Sequence, residues 1–473
     1  MLRRKFLNNS FWISTGLLGC TKSVLEASIP SKVGGKVPFV RGKVSAGGKG
    51  LRDVVVSDGF SVVLTSMDGS YRIELVNDSK HVFVSVPSGY EFLHERNVAR
   101  QYRSVKGEQF QQINFDLEAL QVNDERHQFI VWADPQTMVE SDVNKLMTQS
   151  VPDLTKYVKS LSAETLIHGI CVGDLVFDNP LFFPRYSTAI EKCGIPFFQA
   201  IGNHDLNYKT GDDSEFKKMF GPTYYSFNRG KAHYIVLDDV FSLGGENRYN
   251  GFIAKEQLEW LKKDLSFVLK DKLVVLSLHI PTTEVGNSGE LYEILDGYQV
   301  HIMSGHRHNN QNYAKGNIFE HVHGTVCGAW WAGTICQDGT PAGYGVYEVN
   351  GTDLSWHYKS VGYNRDYQIR STVSVVNGQK VLQANIWNWD PNWKVEYMMD
   401  GNQKILMPHV SGYDPLAVSL YKGDKLPSEG TWAWIEPEKT FHLFSVQVPA
   451  GIKQVKVIAT DRFGRTYESI TNT

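Results

Sequence analysis

The spacing of apolar and polar residues changes twice along the chain, and each change marks a change of predicted structure. From about Pro38 to Leu120, short apolar segments of strand length alternate with turn dipeptides such as Asp58-Gly59 and Asp68-Gly69. Glycine accepts a positive φ in such turns at little cost. The pattern predicts a small β-sandwich over residues 34–120, and we favour the interpretation that it is a spacer.

Between residues 126 and 363, strand patterns alternate with helical ones. Buried strands are predicted at Phe129–Ala133, Ile167–Val172, Pro196–Ile201, Leu273–Leu278 and Val300–Met303. Residues Gln257–Leu265 carry apolar side chains at i, i+3 and i+7, as an amphipathic helix does. This alternation predicts an α/β fold with a mainly parallel or mixed sheet covered by helices. Ligands of such sheets bind beyond the carboxyl ends of the strands.

Strand patterns return in residues 364–473, with few helical ones. The spacing predicts a second, immunoglobulin-like β-sandwich. Trp387, Trp389 and Trp393 form either a sugar-stacking platform or part of this core, and we favour the core because strand tryptophans usually fill cores. The predicted fold class is therefore α/β, a central α/β sandwich flanked by two all-β sandwiches.

Length and charge exclude some classes of protein. A chain of 473 residues is too long for one hydrophobic core. It holds 48 Lys and Arg against 51 Asp and Glu, so no basic field predicts a nucleic-acid partner. No pair of cysteines has the C-x-x-C spacing, which argues against a cysteine zinc site.

Residues 1–20 are predicted to be a signal peptide. Arg3, Arg4 and Lys5 precede the apolar stretch Phe11–Leu18, which is too short to span a bilayer as a helix. Leu17-Leu18-Gly19-Cys20 resembles a bacterial lipobox, in which the cysteine is acylated. We therefore expect an exported cell-envelope lipoprotein, in the periplasm or outer membrane, with its membrane anchor at Cys20. A plain secretory signal remains the alternative, and both general and twin-arginine export stay open.

Five short polar motifs each follow an apolar run. They are Asp134-Pro135-Gln136, Gly173-Asp174, Gly202-Asn203-His204-Asp205, His279 and Gly305-His306-Arg307-His308. Each motif alone is ordinary turn chemistry. Together, on one rim of one sheet, they supply carboxylate, amide and imidazole ligands suited to a pair of divalent cations, and such a pair attacks phosphate esters. His204, next to Asp205, suits a proton donor whose pKa the carboxylate holds up.

The order and spacing of these motifs resemble those of the calcineurin-like metallophosphoesterases, whose pattern is D-x-H, G-D, G-N-H-D/E, H and G-H-x-H. The resemblance covers about Gln128 to Trp356. The N-terminal region resembles transthyretin-like or carboxypeptidase-regulatory-like domains. Both flanking regions resemble the N-terminal and C-terminal β-domains of exported bacterial members. The resemblance implies one ion held by Asp134, Asp174 and His308, and a second held by Asp174, Asn203, His279 and His306. It also implies that His204 contacts the phosphate.

Gln136 departs from the family pattern, because histidine usually stands at that position. Its amide oxygen is a weaker donor than imidazole, which favours a harder cation such as Mn²⁺, Mg²⁺ or Ca²⁺ over Zn²⁺ there. We keep Gln136 as a candidate ligand and leave the identity of both metal ions open among Mn, Fe, Zn, Mg and Ca.

The resemblance implies hydrolysis of phosphate mono- or diesters by a hydroxide bound to a dinuclear metal centre. Arg307 is a candidate substrate-binding residue or a solvated loop arginine, and Trp330-Trp331 form either an aromatic wall or a packed turn. The alternative hypothesis is a non-catalytic or weakly active surface lipoprotein that binds glycans or partners through its β-sandwiches. The substituted Gln136 and the tryptophan-rich third region motivate that alternative.

Overall fold

A computed structural model describes residues 37–76, 79–246, 248–421 and 434–473. The predicted signal peptide, with its lipid-attachment residue Cys20, lies outside these ranges. Within them, no helix is both long enough and apolar enough to cross a membrane. The predicted domain boundaries remain a prediction, and the regions are described below by their sheets.

The secondary-structure elements fall into three regions. The N-terminal strands are β1 (Phe39–Ala46), β2 (Lys49–Gly50), β3 (Val55–Ser57), β4 (Val62–Leu64), β5 (Ser70–Glu74), β6 (His81–Val84), β7 (His94–Glu95), β8 (Val98–Ala99), β9 (Tyr102–Ser104), β10 (Phe110–Gln112) and β11 (Phe115–Leu117). The central strands are β12 (Arg126–Trp132), β13 (Leu166–Cys171), β14 (Phe197–Gln199), β15 (Tyr225–Arg229), β16 (Ala232–Val236), β17 (Val240–Ser242), β18 (Tyr249–Gly251), β19 (Leu273–Ser277), β20 (Gln299–Ser304), β21 (Gln311–Lys315), β22 (Ile318–Val322), β23 (Gly343–Asn350) and β24 (Asp353–Ser360). The central helices are α1 (Glu140–Lys145), α2 (Val151–Ser160), α3 (Phe183–Cys193), α4 (Ser214–Phe220), α5 (Lys255–Leu265) and α6 (Ser288–Leu295). The C-terminal elements are β25 (Arg370–Val376), β26 (Gln379–Asn385), β27 (Lys394–Met399), β28 (Ile405–Leu406), β29 (His409–Tyr413), α7 (Pro415–Tyr421), β30 (Lys439–Gln447), β31 (Gln454–Thr460) and β32 (Thr466–Asn472).

Two mixed sheets form the central region. One has the strand order β24-β23-β12-β13-β14-β8-β7, and the other has the order β15-β16-β19-β20-β22-β21. Strands β12, β13 and β14 run parallel to one another, as do β16, β19, β20 and β22. The inner strands consist largely of buried apolar residues, as expected where both faces of a sheet are covered. The predicted α/β fold class is confirmed.

The N-terminal strands form two sheets that are continuous with the central core. Strands β10, β1 and β11, with β2 and β5, make one sheet, and β4-β3-β6-β9 make the other. The hairpin of β7 and β8 leaves these sheets, and β8 joins the central sheet beside β14 through Val98 and Phe197. One apolar cluster extends from Val40 to Trp356 across both regions. A role as a mere spacer therefore does not account for the packing of this region.

The C-terminal strands form two four-stranded sheets, β25-β26-β30-β29 and β28-β27-β31-β32. These sheets share an apolar cluster of their own, which includes Leu382, Val395 and Val457. Trp387 and Trp393 are buried, and the ring of Trp389 lies 4.2 Å from that of His409. These tryptophans thus pack inside the region, as the interpretation favoured from the sequence expects.

Candidate metal centre

The predicted ligands converge where strands of the two central sheets end. Asp134 follows β12, Asp174 follows β13, Asn203 follows β14, His279 follows β19, and His306 and His308 follow β20. Ligand atoms of Asp174, His279 and His306 all lie within 4.8 Å of one another, and so do those of Asp134, Asp174 and His308. The structure therefore forms two groups of ligand atoms that share the Asp174 carboxylate.

The ring of His279 shows why the first group suits a cation. Its Nδ1 lies 2.8 Å from the carbonyl oxygen of Val172 and donates to it, which leaves a lone pair on Nε2. That Nε2 lies 3.3 Å from Asp174 Oδ1, 3.1 Å from Asn203 Oδ1 and 3.1 Å from His306 Nδ1. Several acceptor atoms thus face one another in a buried space, an arrangement that a metal ion satisfies.

The second group is built on Asp134, which has no exposed surface. Its Oδ1 lies 3.5 Å from Nε2 of His308, and both of its oxygens accept the backbone N–H of His306 at 3.1 Å. A fully buried carboxylate is costly unless a positive charge compensates it. The donor set of both groups therefore fits divalent cations.

Five of the predicted ligand residues adopt a positive φ although none of them is glycine. They are Asp134, Gln136, Asp174, His306 and His308, with φ values of 49°, 40°, 54°, 67° and 56°. Such conformations cost about 1–3 kcal/mol each and persist where the surroundings enforce them. The strain of these five residues lowers the stability of the fold, and it directs their side chains toward one site.

Glycine is required beside the ligands because there is no space for a side chain. A Cβ atom on Gly173 would lie 2.6 Å from Nδ1 of His279, and one on Gly305 would lie 2.5 Å from Oδ2 of Asp134. Gly173 also has a φ of 96°. Gly173 and Gly305 thus permit the close approach of strand ends.

Gln136 lies at the edge of the second group. Its Nε2 lies 2.7 Å from Asp174 Oδ2, and its buried Oε1 has no hydrogen-bond partner among the described residues. A half turn of the amide exchanges the oxygen with the nitrogen, and the two are assigned from their surroundings. The position therefore offers an amide oxygen beside the shared carboxylate, as the sequence-based prediction of a ligand requires.

His204 lies against the shared carboxylate, with its backbone N–H donating to Asp174 Oδ1 at 2.9 Å. Its Nδ1 lies 2.7 Å from Asp178 Oδ1, and its ring stacks on Phe177 with 4.1 Å between centroids. Burial, the largest influence, lowers the pKa of His204, but the carboxylates of Asp174 and Asp178 outweigh it and raise the pKa to about 9. Both carboxylates thus favour the protonated form of the ring.

The carboxylate that contacts the His204 ring is that of Asp178, so the prediction that Asp205 holds up its pKa is wrong. Asp205 turns back within the short turn 203–205, where its Oδ1 accepts the N–H of Val176 at 3.2 Å and its Oδ2 accepts that of Gly202 at 2.8 Å. It braces the loop, and Asp178 contacts the imidazole instead. Asp178 belongs to no recognised motif, and its only sequence signal is its place four residues after Asp174 in the same loop.

Arg307 is tied to the surrounding loops. Its Nε pairs with Glu284, its Nη1 donates to the hydroxyl of Tyr313 at 2.7 Å, and its Nη2 donates to the hydroxyl of Thr283 at 3.2 Å. These contacts engage all three nitrogens of the guanidinium group. The structure thus places Arg307 in a structural network.

The two adjacent tryptophans have different surroundings. Trp331 is 5% exposed, and its Nε1 donates to the carbonyl oxygen of Pro135 at 2.9 Å, so it braces the first ligand motif. Trp330 is partly exposed, and its ring lies 4.4 Å from that of His308. Trp330 is therefore the residue that forms a wall of the metal centre.

Comparisons with known proteins match both flanks of this centre. Residues 38–120 match the family model for the N terminal of calcineurin-like phosphoesterase, and residues 320–467 match the model for its C terminal. Both flanks of the chain are thus similar to calcineurin-like phosphoesterases. The family resemblance predicted from the motifs is thereby confirmed. The family also implies divalent metal ions at the two ligand groups.

Individual relatives are distant. An uncharacterised protein of Bacillus subtilis, YvnB, is 26% identical over 178 residues, which are 32% of this chain and 13% of that protein. A probable cyclic nucleotide phosphodiesterase of Psychrobacter arcticus is 23% identical over 158 residues, 30% of this chain and 57% of that protein. The chain thus spans less than two thirds of either relative. A dimetal phosphatase from Danio rerio is 14% identical, with a TM-score of 0.35, over 50% of this chain and 96% of that one.

Proposed function

We propose that this calcineurin-like phosphoesterase hydrolyses phosphate mono- or diesters with two divalent cations. The observation that carries the proposal is the pair of ligand groups that share the buried carboxylate of Asp174. One ion would be held by Asp134, Gln136, Asp174 and His308, and the other by Asp174, Asn203, His279 and His306. The number of ions and their identity belong to this proposal.

The chemistry of the site follows from its donors. Two divalent cations, when bound, lower the pKa of a water molecule and neutralise charge on the phosphoryl oxygens. Carboxylate, amide and imidazole donors suit Mn, Fe, Zn, Mg or Ca ions, and the amide of Gln136 favours the harder ions on its side of the site.

His204 supplies the proton for the leaving oxygen. Asp178 holds its Nδ1 at 2.7 Å, and Phe177 fixes the plane of the ring, so the ring has one orientation toward the shared carboxylate. The raised pKa keeps the ring protonated near neutral pH. His204 therefore acts as the general acid, and Asp178 orients it. Trp330 contributes an aromatic wall beside the substrate.

The test compares metal content and turnover in three variants of the full chain. Asp174→Ala removes the shared ligand, so we expect loss of both ions and of activity on aryl phosphate mono- and diesters. His204→Ala should retain the ions and lower kcat by about 10²–10⁴-fold, the usual contribution of a general acid. Asp271→Ala, which removes an exposed carboxylate in the loop before β19, is the matched control and should match the wild type.

Full activity of Asp174→Ala would contradict the proposal. Glycan binding by a wild-type protein that hydrolyses neither class of ester would favour the alternative hypothesis of a binding lipoprotein. Diester substrates belong in the panel because a relative is described as a probable cyclic nucleotide phosphodiesterase. Attachment to the cell envelope through Cys20 remains a prediction from the sequence.

A further inference from the structure

The two C-terminal sheets, β25-β26-β30-β29 and β28-β27-β31-β32, are called the C-terminal sandwich below. A series of buried hydrogen bonds connects this sandwich to the turn that follows His308. Asn310, two residues further on, is 5% exposed, and its backbone N–H donates to Asp338 Oδ2 at 3.0 Å. Its side-chain nitrogen donates to the carbonyl oxygen of Trp387 at 2.7 Å, and its side-chain oxygen accepts the N–H of Gly324 at 3.1 Å. Asn310 is thus fixed on three sides, and one of them is the sandwich.

Asp338 is the centre of this chain of contacts. Its Oδ2 accepts the hydroxyl of Thr340 at 2.8 Å and Nε2 of His442 at 2.9 Å, in addition to Asn310. Its Oδ1 accepts the backbone N–H of Thr340 at 2.9 Å. Burial would raise the pKa of Asp338, but the hydrogen bond and the charge of His442 hold it below its ordinary value. The carboxylate is therefore ionised and well supplied with donors.

His442 belongs to strand β30 of the sandwich, and its position is fixed from the other side as well. Its Nδ1 lies 2.7 Å from Oδ1 of Asn385. The amide nitrogen of Asn385 donates to Asp414 Oδ2 at 2.9 Å and to the carbonyl oxygen of Asp338 at 3.1 Å, which settles the orientation of that amide. Both ring nitrogens of His442 consequently face acceptors, which fixes the ring between Asn385 and Asp338.

The ring of His308 makes few hydrogen bonds that would orient it, so its orientation depends on the surrounding turn. Its Nε2 faces Asp134, and its buried Nδ1 has no hydrogen-bond partner among the described residues. A metal-binding imidazole is ordinarily oriented by a hydrogen bond from its other nitrogen, as His279 is by Val172. The placement of His308 therefore depends on its backbone, at a φ of 56°, and on packing against Trp330.

We propose that Asp338 is a positioning residue for His308, and that the C-terminal sandwich holds Asp338 in place through His442. The inference rests on the proposed function, since it takes His308 as a metal ligand. The sandwich then controls the affinity of the ion next to Asp134. The ion next to His279 depends on it much less, because the carbonyl oxygen of Val172 orients His279 and the carboxylate of Asp134 holds the backbone N–H of His306.

The experiment measures the binding of Mn²⁺ alone to the metal-free full chain by calorimetry. In Asp338→Asn, one of the two binding events should weaken by about 10–100-fold, the usual effect of losing a residue that orients a ligand. The other event should stay within about 2-fold. Amide exchange in the metal-free protein should rise over residues 308–312, which would show the loosened turn without any metal or substrate.

Two further variants isolate the route through the sandwich. His442→Gln removes the imidazole that holds Asp338, and it should weaken the same binding event in the same direction. Arg465→Ala is the control, because it removes another hydrogen bond from the sandwich to the central region, from Nη2 to the carbonyl oxygen of Trp356 at 2.6 Å. This control should bind both Mn²⁺ ions as the wild type does.

The inference is overturned if Asp338→Asn and His442→Gln are folded and bind both ions with wild-type affinity. If Asp338→Asn does not fold, His442→Gln decides. If one Mn²⁺ binding event weakens selectively but the wild-type protein does not hydrolyse aryl phosphates, the inference is supported and the proposed function is contradicted. A wild-type chain that binds no Mn²⁺ would overturn both.

Discussion

The two β-sandwiches attach to the central region in different ways. The N-terminal strands share one apolar cluster with the central sheets and contribute β8 to one of them. The C-terminal strands enclose their own apolar cluster. Their region meets the centre through a smaller apolar cluster that includes Ala329 and Tyr421, and through buried polar groups such as Asp338 and His442. Apolar burial is strong and non-directional, whereas buried hydrogen bonds fix geometry. The apolar core that the N-terminal strands share with the centre thus provides stability. The buried polar groups of the C-terminal region fix the position of a loop.

The largest expected effect tests the shared core. Trp260 of α5 is fully buried, its Nε1 donates to the Ser57 hydroxyl at 3.1 Å, and its ring lies 6.2 Å from that of Phe83. Trp260→Ala should lower the free energy of unfolding by about 3–5 kcal/mol. Because the core is shared, native-state hydrogen exchange should rise together in β6 and β19.

The control for that change is Phe267→Ala, which removes a partly exposed ring just beyond the same helix and should shift stability by about 0.5 kcal/mol at most. If exchange rose in β6 while β19 kept its protection, the N-terminal strands would be an independent unit.

A smaller effect is expected for the separate core of the C-terminal sandwich. Leu382 in β26 is fully buried there, so Leu382→Ala should cost about 3 kcal/mol. Exchange should rise in β26 and β31, while β12 and β13 keep their protection. Val375→Ala, at a position 69% exposed on the neighbouring strand, is the matched control. Equal loss of protection in β12 would show that the two cores unfold as one.

The smallest effect comes from a change that involves neither sandwich. Asp178→Asn removes a carboxylate and its hydrogen bond from His204, so the pKa of His204 should fall by about one unit, or about 1.4 kcal/mol. An acid must be protonated to act, so activity is lost as pH rises through its pKa. The loss should therefore begin at lower pH in the variant, as measured by kcat across pH.

Asp212→Asn, which alters an exposed loop aspartate, should leave that pH profile unchanged. Exchange in both sandwiches should also stay as in the wild type. An unchanged pH profile in Asp178→Asn would exclude His204 as the group whose proton is required.

The features that were predicted correctly from the sequence are those that depend on the local pattern of apolar and polar residues. The apolar runs of β12, β13 and β19, and the ligands that follow them, leave a signal in consecutive residues. The pairing of β8 with β14 was not predicted, because two residues carry no periodicity and their partner lies far along the chain. The contact between Asp178 and His204 was missed because the two residues lie far apart in the sequence, whereas Asp205 is adjacent to His204.

The pairing of β12 with β23 also has a consequence for biosynthesis. Arg126 lies opposite Asn350, so a ribosome completes the first strand long before it produces the second. Contacts between such distant segments form slowly, since a long loop must close before they contribute. The nascent chain therefore leaves one edge of an apolar strand unpaired for much of its synthesis, and a chaperone that covers such edges would raise the yield of native protein.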